Sequence, residues 1–329
     1  MSINYHFSST LAPVIVRYLD GKQILGRQYT GEKRILEKLD IFLSEKNMDL
    51  TAESFSEWCH THQHLVSGVR RNWMRNVRNL CLYRNRTEPL CFIPDPIQFP
   101  KPHQPIQPHI FTEAEIVRLF AAIKNIKSIT ISPMRQENYR LALVLLYTTG
   151  LRRGELVRLI IGDYNPIEHT LLIRESKFHK SRLIPLSDDG WSELESFLKT
   201  RQQRHLSIAP DLPLLWNDVS KTGSYTGTAV GTTFRLLFRA CNIQTLTAQV
   251  PRLHDLRHCF AVHALLRWYN EGANVQTKLP LLSTYMGHVS VVSTQYYLRF
   301  IEDIVNSASD LFEKRCGMLV INPSQRGVL

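Results

Sequence analysis

The sequence predicts a mainly α-helical protein with a small antiparallel β-sheet, an α+β architecture divided into two domains. Apolar residues recur at helical spacing over most of the chain, whereas His169–Pro185 alternates and is rich in β-branched residues, which is typical of a two-stranded hairpin. A proline-rich stretch interrupts any helix or central strand between the domains. We therefore expect a helical domain over residues 1–93, a linker over 94–110 and a second domain over 111–329. The prolines of the linker favour extended, polyproline II backbone.

In the first domain, helical segments are expected between residues 29 and 92, and the run Leu65–Arg86 contains six arginines and no acidic residue. Arg71, Arg75 and Arg78 stand at i, i+4 and i+7, which places them on one face of a helix. A basic run is more often a solvated surface, but such a face also suits phosphate groups. The predicted DNA-contacting set is Arg70, Arg71, Arg75, Arg78, Arg84 and Arg86.

The second domain is expected to begin at a capping box, Thr112 to Glu115, which opens the helix Glu113–Lys124. A second helix, Arg135–Tyr147, should end before Gly150, so that Arg152 lies just past a helix end, at the entry to an amphipathic run. In the hairpin, Lys177 is expected near the turn. The remaining predicted helices span Asp188–Arg204, Thr228–Cys241, His254–Tyr269, Lys278–Met286 and Val291–Phe300.

Composition agrees with a globular protein that binds a polyanion. The 329 residues are 43% hydrophobic and carry a net charge of +11 at pH 7, and basic proteins gain affinity for nucleic acid by releasing counterions. The six cysteines form no C-x-x-C pair, so reduced thiols are expected. The N-terminus lacks the features of a secretory signal, and no apolar run approaches the length of a membrane span. We expect a cytoplasmic protein with no membrane partner.

Four segments carry groups that handle a phosphodiester: TTGLRRGEL (148–156), SKFHKSRLIPL (176–186), HDLRH (254–258) and MGHVSVVSTQYY (286–297). The guanidinium group of arginine matches two phosphate oxygens. Lysine and histidine can move protons, and a tyrosine hydroxyl can attack phosphorus. His254 and Arg257 are one helical turn apart, so both can face one phosphate. Together these segments indicate DNA strand cleavage without a metal ion.

The order and spacing of these segments resemble the phage integrase, Xer and Cre class of tyrosine recombinases over roughly residues 111–315. The resemblance matches the catalytic positions to Arg152, Lys177, His254, Arg257, His288 and Tyr297, with Glu155 as a supporting acid. It matches the run containing Lys180 and Arg182 to the return strand of the hairpin, where DNA contacts are expected. Residues 1–93 correspond in size to the family's core DNA-binding domain. The neighbour Tyr296 points about 100° away on a helix, so only one tyrosine can be the nucleophile; we choose Tyr297.

The resemblance implies a mechanism with a 3′-phosphotyrosine intermediate and no cofactor, neither ATP nor magnesium. Arg152 and Arg257 would bind the non-bridging oxygens and Lys177 would protonate the leaving 5′-oxygen. His254 would accept the tyrosine's proton, and His288 would donate a hydrogen bond to phosphate. The implied partner is double-stranded DNA carrying recombination sites, bound by a homotetramer, with a sister recombinase as a possible further partner. The tail Ile301–Arg315 has helical periodicity and would dock either on a neighbouring subunit or on its own domain.

Three alternatives to a recombinase stay open. A type IB topoisomerase would use nearly the same residues, a DNA-binding regulator would have lost activity, and a metal-dependent nuclease or transposase would need a set of acids that is not evident here. His254 and His258 stand at the spacing of a helical zinc pair, but the chain has no H-E-x-x-H motif. The segment Arg267–Thr277 is interpreted as an insertion, and this favours a mobile-element recombinase.

Overall fold

The computed structural model describes residues 6–27, 29–101, 107–174, 181–218 and 223–300. The chain divides into two compact units, Met1–Gln107 and Pro108–Leu329. Both are built mainly from α-helices, and the described strands form one small antiparallel sheet in the second unit. The predicted fold class is therefore confirmed. None of the helices in the described ranges is long and apolar enough to span a membrane.

The first unit is a bundle of helices around one apolar core. Its core side chains include Leu19, Leu39, Trp58 and Leu80, each buried and contributed by a different helix. The helices are α1 (Ala12–Ile24), α2 (Thr30–Lys46), α3 (Ala52–Thr61) and α4 (Ser67–Arg84). Helix α1 lies before the segment in which helices were expected from the sequence.

The first part of the predicted linker packs on the first unit. Residues Pro96–Gln98 form a short 3₁₀-helix, and the side chain of Phe99 is buried in the unit's core. Arg71 donates a 2.8 Å hydrogen bond to the carbonyl of Pro100, and Arg78 donates one of 2.6 Å to that of Pro94. Asp95 and Phe99 have the extended backbone that was expected, whereas Pro96–Gln98 turn into the 3₁₀-helix, and the two arginine hydrogen bonds hold the segment against α4.

The second unit combines eight helices of the described chain with a sheet of strand order β1-β2-β3. The predicted hairpin is present, with Leu171 opposite Ile184, and a short strand pairs antiparallel with its outer edge. The strands are β1 (Tyr164–Asn165), β2 (Thr170–Ile173) and β3 (Arg182–Pro185). The helices are α5 (Glu113–Lys124), α6 (Arg135–Thr149), α7 (Arg153–Leu156), α8 (Asp188–Gln203), α9 (Gly227–Ala240), α10 (Asp255–Asn270), α11 (Val275–Met286) and α12 (Val292–Gln295).

Two segments near the end of this unit differ from the sequence prediction. The residues interpreted as an insertion form the end of α10, a turn, and the start of α11, which Asn274 caps by accepting hydrogen bonds from the following backbone. Helix α12 is shorter than predicted because Tyr297 N–H bonds to the carbonyl of Thr294, three residues back rather than four. This tight turn carries the two adjacent tyrosines.

Candidate active site

The turn after α6 positions the first arginine of the site. Gly150 ends α6 with a φ of +61°, and a Cβ at this position would lie 2.5 Å from a ring atom of Phe260, so glycine is required here. Arg152 follows with extended backbone and caps α7. Its N–H bonds to Oε2 of Glu155 at 2.9 Å. The local sequence thus places the Arg152 side chain at a fixed helix entry.

A buried carboxylate binds two arginines at this entry. The side chain of Glu155 is 1% exposed and accepts a 2.7 Å hydrogen bond from Nη1 of Arg152 and bonds of 3.1 and 2.9 Å from Nη1 and Nη2 of Arg182. Burial alone would raise the pKa of Glu155, but hydrogen bonds from the two arginines outweigh it and lower the pKa to about 2. Arg182 also donates through Nε to the carbonyl of Tyr285 at 2.8 Å. The predicted DNA contact Arg182 therefore lies in an internal ion pair.

The second arginine of the site, Arg257, is buried in the first turn of α10. It donates to the carbonyls of Gly150 at 2.5 Å and Met286 at 2.6 Å, while Arg152 donates to the neighbouring carbonyl of Gly287 at 2.7 Å. Burial and the charge of Arg152 lower the pKa of Arg257 to about 9. A buried cation next to a second cation gains stability from an anion, so the pair is suited to an anionic ligand.

The tyrosine chosen from the sequence lies beside these arginines. Tyr297 is 3% exposed, and its hydroxyl is 2.9 Å from Nδ1 of His258. The ring of His288 stacks on Tyr297 with a centroid distance of 6.4 Å and is oriented by a 2.8 Å hydrogen bond between its Nδ1 and Oγ1 of Thr294. Burial raises the pKa of Tyr297 to about 12 although the charge of Arg257 opposes the shift. The hydroxyl is therefore protonated at rest.

The histidines of the site are neutral at pH 7. His254 is reached by solvent, yet partial desolvation of its ring and the charges of Arg257 and Arg252 lower its pKa to about 4. Burial, together with His254 and the same arginines, lowers the pKa of His258 to about 3. The rings of the two histidines meet edge to face at 4.7 Å. The described hydrogen bond of the Tyr297 hydroxyl is thus to His258 and not to His254, the proton acceptor expected from the sequence.

The adjacent tyrosine faces other groups. The ring of Tyr296 lies 3.7 Å from the guanidinium of Arg299 and packs edge to face against Phe300 at 5.4 Å. It is more exposed than Tyr297, and the two tyrosine rings are nearly perpendicular. The choice of Tyr297 for the reaction stays a prediction.

The structure separates the predicted DNA-contacting arginines into two groups. Arg75 and Arg86 are exposed on the surface of α4 or just beyond it. Arg84 instead makes hydrogen bonds of 2.9 Å to the carboxylate of Asp49 and pairs with Glu88. Arg70, Arg71 and Arg78 donate to backbone carbonyls of their own unit. Lys177 and Lys180 lie outside the described residues.

Sequence reasoning missed His258 as a neighbour of the Tyr297 hydroxyl. The residue was considered only as half of a helical zinc pair with His254. In the described part of the chain, no group of three or more histidine, cysteine or acidic side chains is placed to hold a metal ion. The sequence did contain a signal, because His258 directly follows Arg257 and lies one turn after His254, close to the helix face that was expected to meet phosphate.

The charges of the site match a phosphodiester. Among the described groups, three guanidinium groups (Arg152, Arg182 and Arg257) and one carboxylate (Glu155) leave two positive charges around a protonated tyrosine. A phosphodiester carries one negative charge, and its pentacovalent transition state develops a second. The fold and site define a class of proteins that transfer a phosphoryl group to tyrosine, with arginines stabilising the transition state.

Comparisons with known proteins identify the family. Residues 109–302 match the model of the phage integrase family. The Sinorhizobium fredii protein y4rB, named as an integrase/recombinase, is 30% identical over 311 residues, 93% of this chain and 98% of that one. Tyrosine recombinase XerA of Pyrococcus horikoshii is 29% identical over 204 residues, 58% of this chain and 57% of that one. The chain belongs to the phage integrase family, whose members are tyrosine recombinases.

Solved structures show the same fold. XerH recombinase bound to its palindromic difH substrate has a TM-score of 0.60 at 19% identity and covers 85% of this chain and 78% of that one. A lambda integrase dimer bound to a core site has a TM-score of 0.59 at 15% identity, with coverages of 87% and 94%. At these identities the likeness shows the fold alone. The family assignment from the sequence is confirmed by the sequence matches.

Proposed function

We propose that this protein is a site-specific DNA recombinase that cleaves and rejoins strands through a phosphotyrosine formed by Tyr297. The observation that supports this most strongly is a buried tyrosine hydroxyl close enough to Arg257 and Arg152 for their charges to lower its pKa, although these two arginines stand more than 100 residues apart in the sequence. The net charge of +11 suits a DNA partner. Structural neighbours that are recombinases in complex with DNA support the same partner.

In the proposed step, the Tyr297 hydroxyl attacks phosphorus while Arg152 and Arg257 bind the non-bridging oxygens. Both guanidinium groups are already held by carbonyls and, for Arg152, by Glu155, so their N–H groups need little reorganisation when phosphate binds. His288 donates a hydrogen bond to phosphate. Lys177 protonates the departing 5′-oxygen, as the hairpin position of this lysine in the sequence indicates.

The positive charge of the arginines fills the role that metal ions have in other phosphoryl-transfer sites, so we propose a reaction without magnesium or ATP. The energy of the cleaved bond is kept in the phosphotyrosine, which a hydroxyl from another strand can attack. We further propose a homotetramer on DNA, acting in the cytoplasm for a mobile element, alone or with a sister recombinase. The exposed arginines Arg75 and Arg86 are the residues of the first unit that we assign to phosphate contacts.

The test is strand exchange between two DNA duplexes that carry candidate sites from the DNA flanking the gene, in buffer containing EDTA. We expect recombinant products from site-bearing duplexes and none from scrambled ones. A plasmid without such sites serves as the matched topoisomerase substrate. Relaxation of that plasmid without strand exchange would contradict the proposal in favour of a type IB topoisomerase, and cutting only with added magnesium would contradict it in favour of a metal-dependent nuclease.

A further inference from the structure

The resting partner of the Tyr297 hydroxyl is a histidine outside the set predicted from the sequence. Nδ1 of His258 lies 2.9 Å from Oη, within hydrogen-bond distance, and the two ring centroids are 5.5 Å apart. His258 is held on α10 directly after Arg257, whose guanidinium is fixed by two carbonyls. A group that touches the reacting atom and is anchored next to the phosphate-binding arginine is placed for proton transfer.

The protonation states of the two groups favour one direction for this hydrogen bond. Tyr297 has a raised pKa and keeps its proton, whereas His258 is neutral because its pKa is lowered. A neutral imidazole has one acceptor nitrogen, and with the proton on Nε2 that acceptor is Nδ1. In this tautomer the tyrosine hydroxyl donates to His258. This is the starting geometry of general-base catalysis.

We propose that His258 accepts the proton of Tyr297 during strand cleavage and returns it when the strand is rejoined. In cleavage, the bond from Tyr297 Oη to phosphorus forms and the bond from phosphorus to the 5′-oxygen breaks. The tyrosine's proton moves to Nδ1 of His258, and the 5′-oxygen takes a proton from the general acid assigned above to Lys177. Rejoining reverses each transfer. This inference rests on the proposed function.

The charged groups around His258 explain why it becomes a base only when DNA is bound. Burial lowers the basicity of His258 at rest, and so do two cations, Arg252 at the start of α10 and Arg257 on the same helix; the neutral rings of His254 and His288 also face it. The two tyrosines Tyr296 and Tyr297 face it from the turn after α12. A bound phosphodiester adds negative charge beside these cations, which favours the protonated imidazole and raises the pKa of His258. Substrate binding thus activates the acceptor.

The competing acceptor is His254, one turn earlier on the same face. Its ring contacts the ring of His258. Within the described residues, the Tyr297 hydroxyl hydrogen bonds to His258 rather than to His254. As a whole residue, His254 is also more exposed than His258. This position suits contact with phosphate or with the DNA strand, so the geometry assigns proton transfer to His258 and substrate contact to His254.

The test uses the full-length protein and a nicked suicide duplex, with single-turnover formation of the covalent adduct as the rate. The variants are His258→Gln, His254→Gln and the control His263→Gln, a partly buried histidine of the same helix that hydrogen bonds to Tyr147. We expect His258→Gln to slow cleavage by about 10²- to 10⁴-fold while the variant still binds DNA. We expect His263→Gln to cleave at a rate near that of the unchanged protein.

A more acidic tyrosine at position 297 distinguishes a role of His258 in proton transfer from a structural role. Each variant is also made with a fluorinated tyrosine at position 297, whose hydroxyl is more acidic and needs less help to lose its proton. We expect the defect of His258→Gln to shrink by more than about tenfold with this nucleophile, since Brønsted behaviour governs the transfer. An undiminished defect would overturn the proposal in favour of a structural role, and rescue of His254→Gln instead would assign the transfer to His254. Absence of adduct from the unchanged protein would contradict the proposed function itself, whereas normal cleavage by His258→Gln would overturn only this inference.

Discussion

Replacing Glu155 with glutamine should weaken both the fold and the active site of the second unit. The carboxylate is buried and binds Arg152 and Arg182, and these contacts keep its pKa at about 2, compared with an ordinary value of 4.5. A difference of about 2.5 pKa units corresponds to roughly 3 kcal/mol in favour of the charged form. Glu155→Gln leaves two guanidinium groups without their anion, which has a similar cost. We expect a loss of about 3 kcal/mol in the free energy of unfolding.

The assay is urea unfolding at pH 7. Hydrogen exchange in peptides of α6 and α10 monitors the transition, so that the stability of the second unit is measured separately. Glu168→Gln, at an exposed carboxylate of the same unit, is the matched control and should change stability by less than about 0.5 kcal/mol. Because the pKa of Glu155 is depressed, its stabilising effect is present above pH 4.5 and is lost as the pH falls toward 2. A loss below about 1 kcal/mol at pH 7, with unchanged DNA cleavage, would refute the reasoning.

Three further outcomes are expected. Gly150→Ala forces alanine to a φ of +61° and adds a Cβ 2.5 Å from an aromatic ring atom, so it should destabilise the second unit by more than about 1 kcal/mol in urea unfolding. The control is Gly21→Ala, where nothing lies within 4 Å of the added Cβ. An equal loss of unfolding free energy in the two variants would contradict this reasoning. Arg75→Ala should weaken DNA binding and reduce the slope of log affinity against log salt by about one, whereas Arg84→Ala should lower the stability of the first unit. A salt slope that changes in Arg84→Ala and not in Arg75→Ala would contradict the assignment of Arg75 to phosphate and Arg84 to an internal ion pair. Since the pKa of His258 is lowered to about 3 from 6.5, the unfolded state binds more protons below pH 6.5, and stability should fall as the pH decreases toward 3; a urea midpoint that falls equally in His258→Gln would contradict this.

Features set by neighbouring residues were predictable from the sequence. The capping box is present, with Thr112 accepting from Glu115 N–H and the Glu115 carboxylate accepting from Thr112 N–H. Gly150 ends α6 in the left-handed conformation, as a helix-breaking glycine should. The hairpin pairs strands of one short segment, and its alternation was visible directly. These features depend on contacts within a few residues, so spacing and residue type determine them.

Features that depend on tertiary packing were not predictable in the same way. Arg71, Arg75 and Arg78 do share a face of α4, but the proline segment that packs on this face uses two of them. Similarly, His254 and His258 are both near one face of α10. Which ring reaches the Tyr297 hydroxyl depends on how the turn after α12 packs against that helix, and helical spacing does not contain this information.

The central claim is that Tyr297 is the nucleophile of metal-free DNA cleavage, and covalent capture tests it most directly. Purified protein is mixed with nicked suicide duplexes in EDTA, and the products are run on a denaturing gel beside Tyr297→Phe and Tyr296→Phe. The account predicts a DNA-linked band that is lost only in Tyr297→Phe. A band that survives in Tyr297→Phe and disappears in Tyr296→Phe would contradict the assignment of the nucleophile, and cleavage that leaves no covalent adduct would contradict the mechanism as a whole.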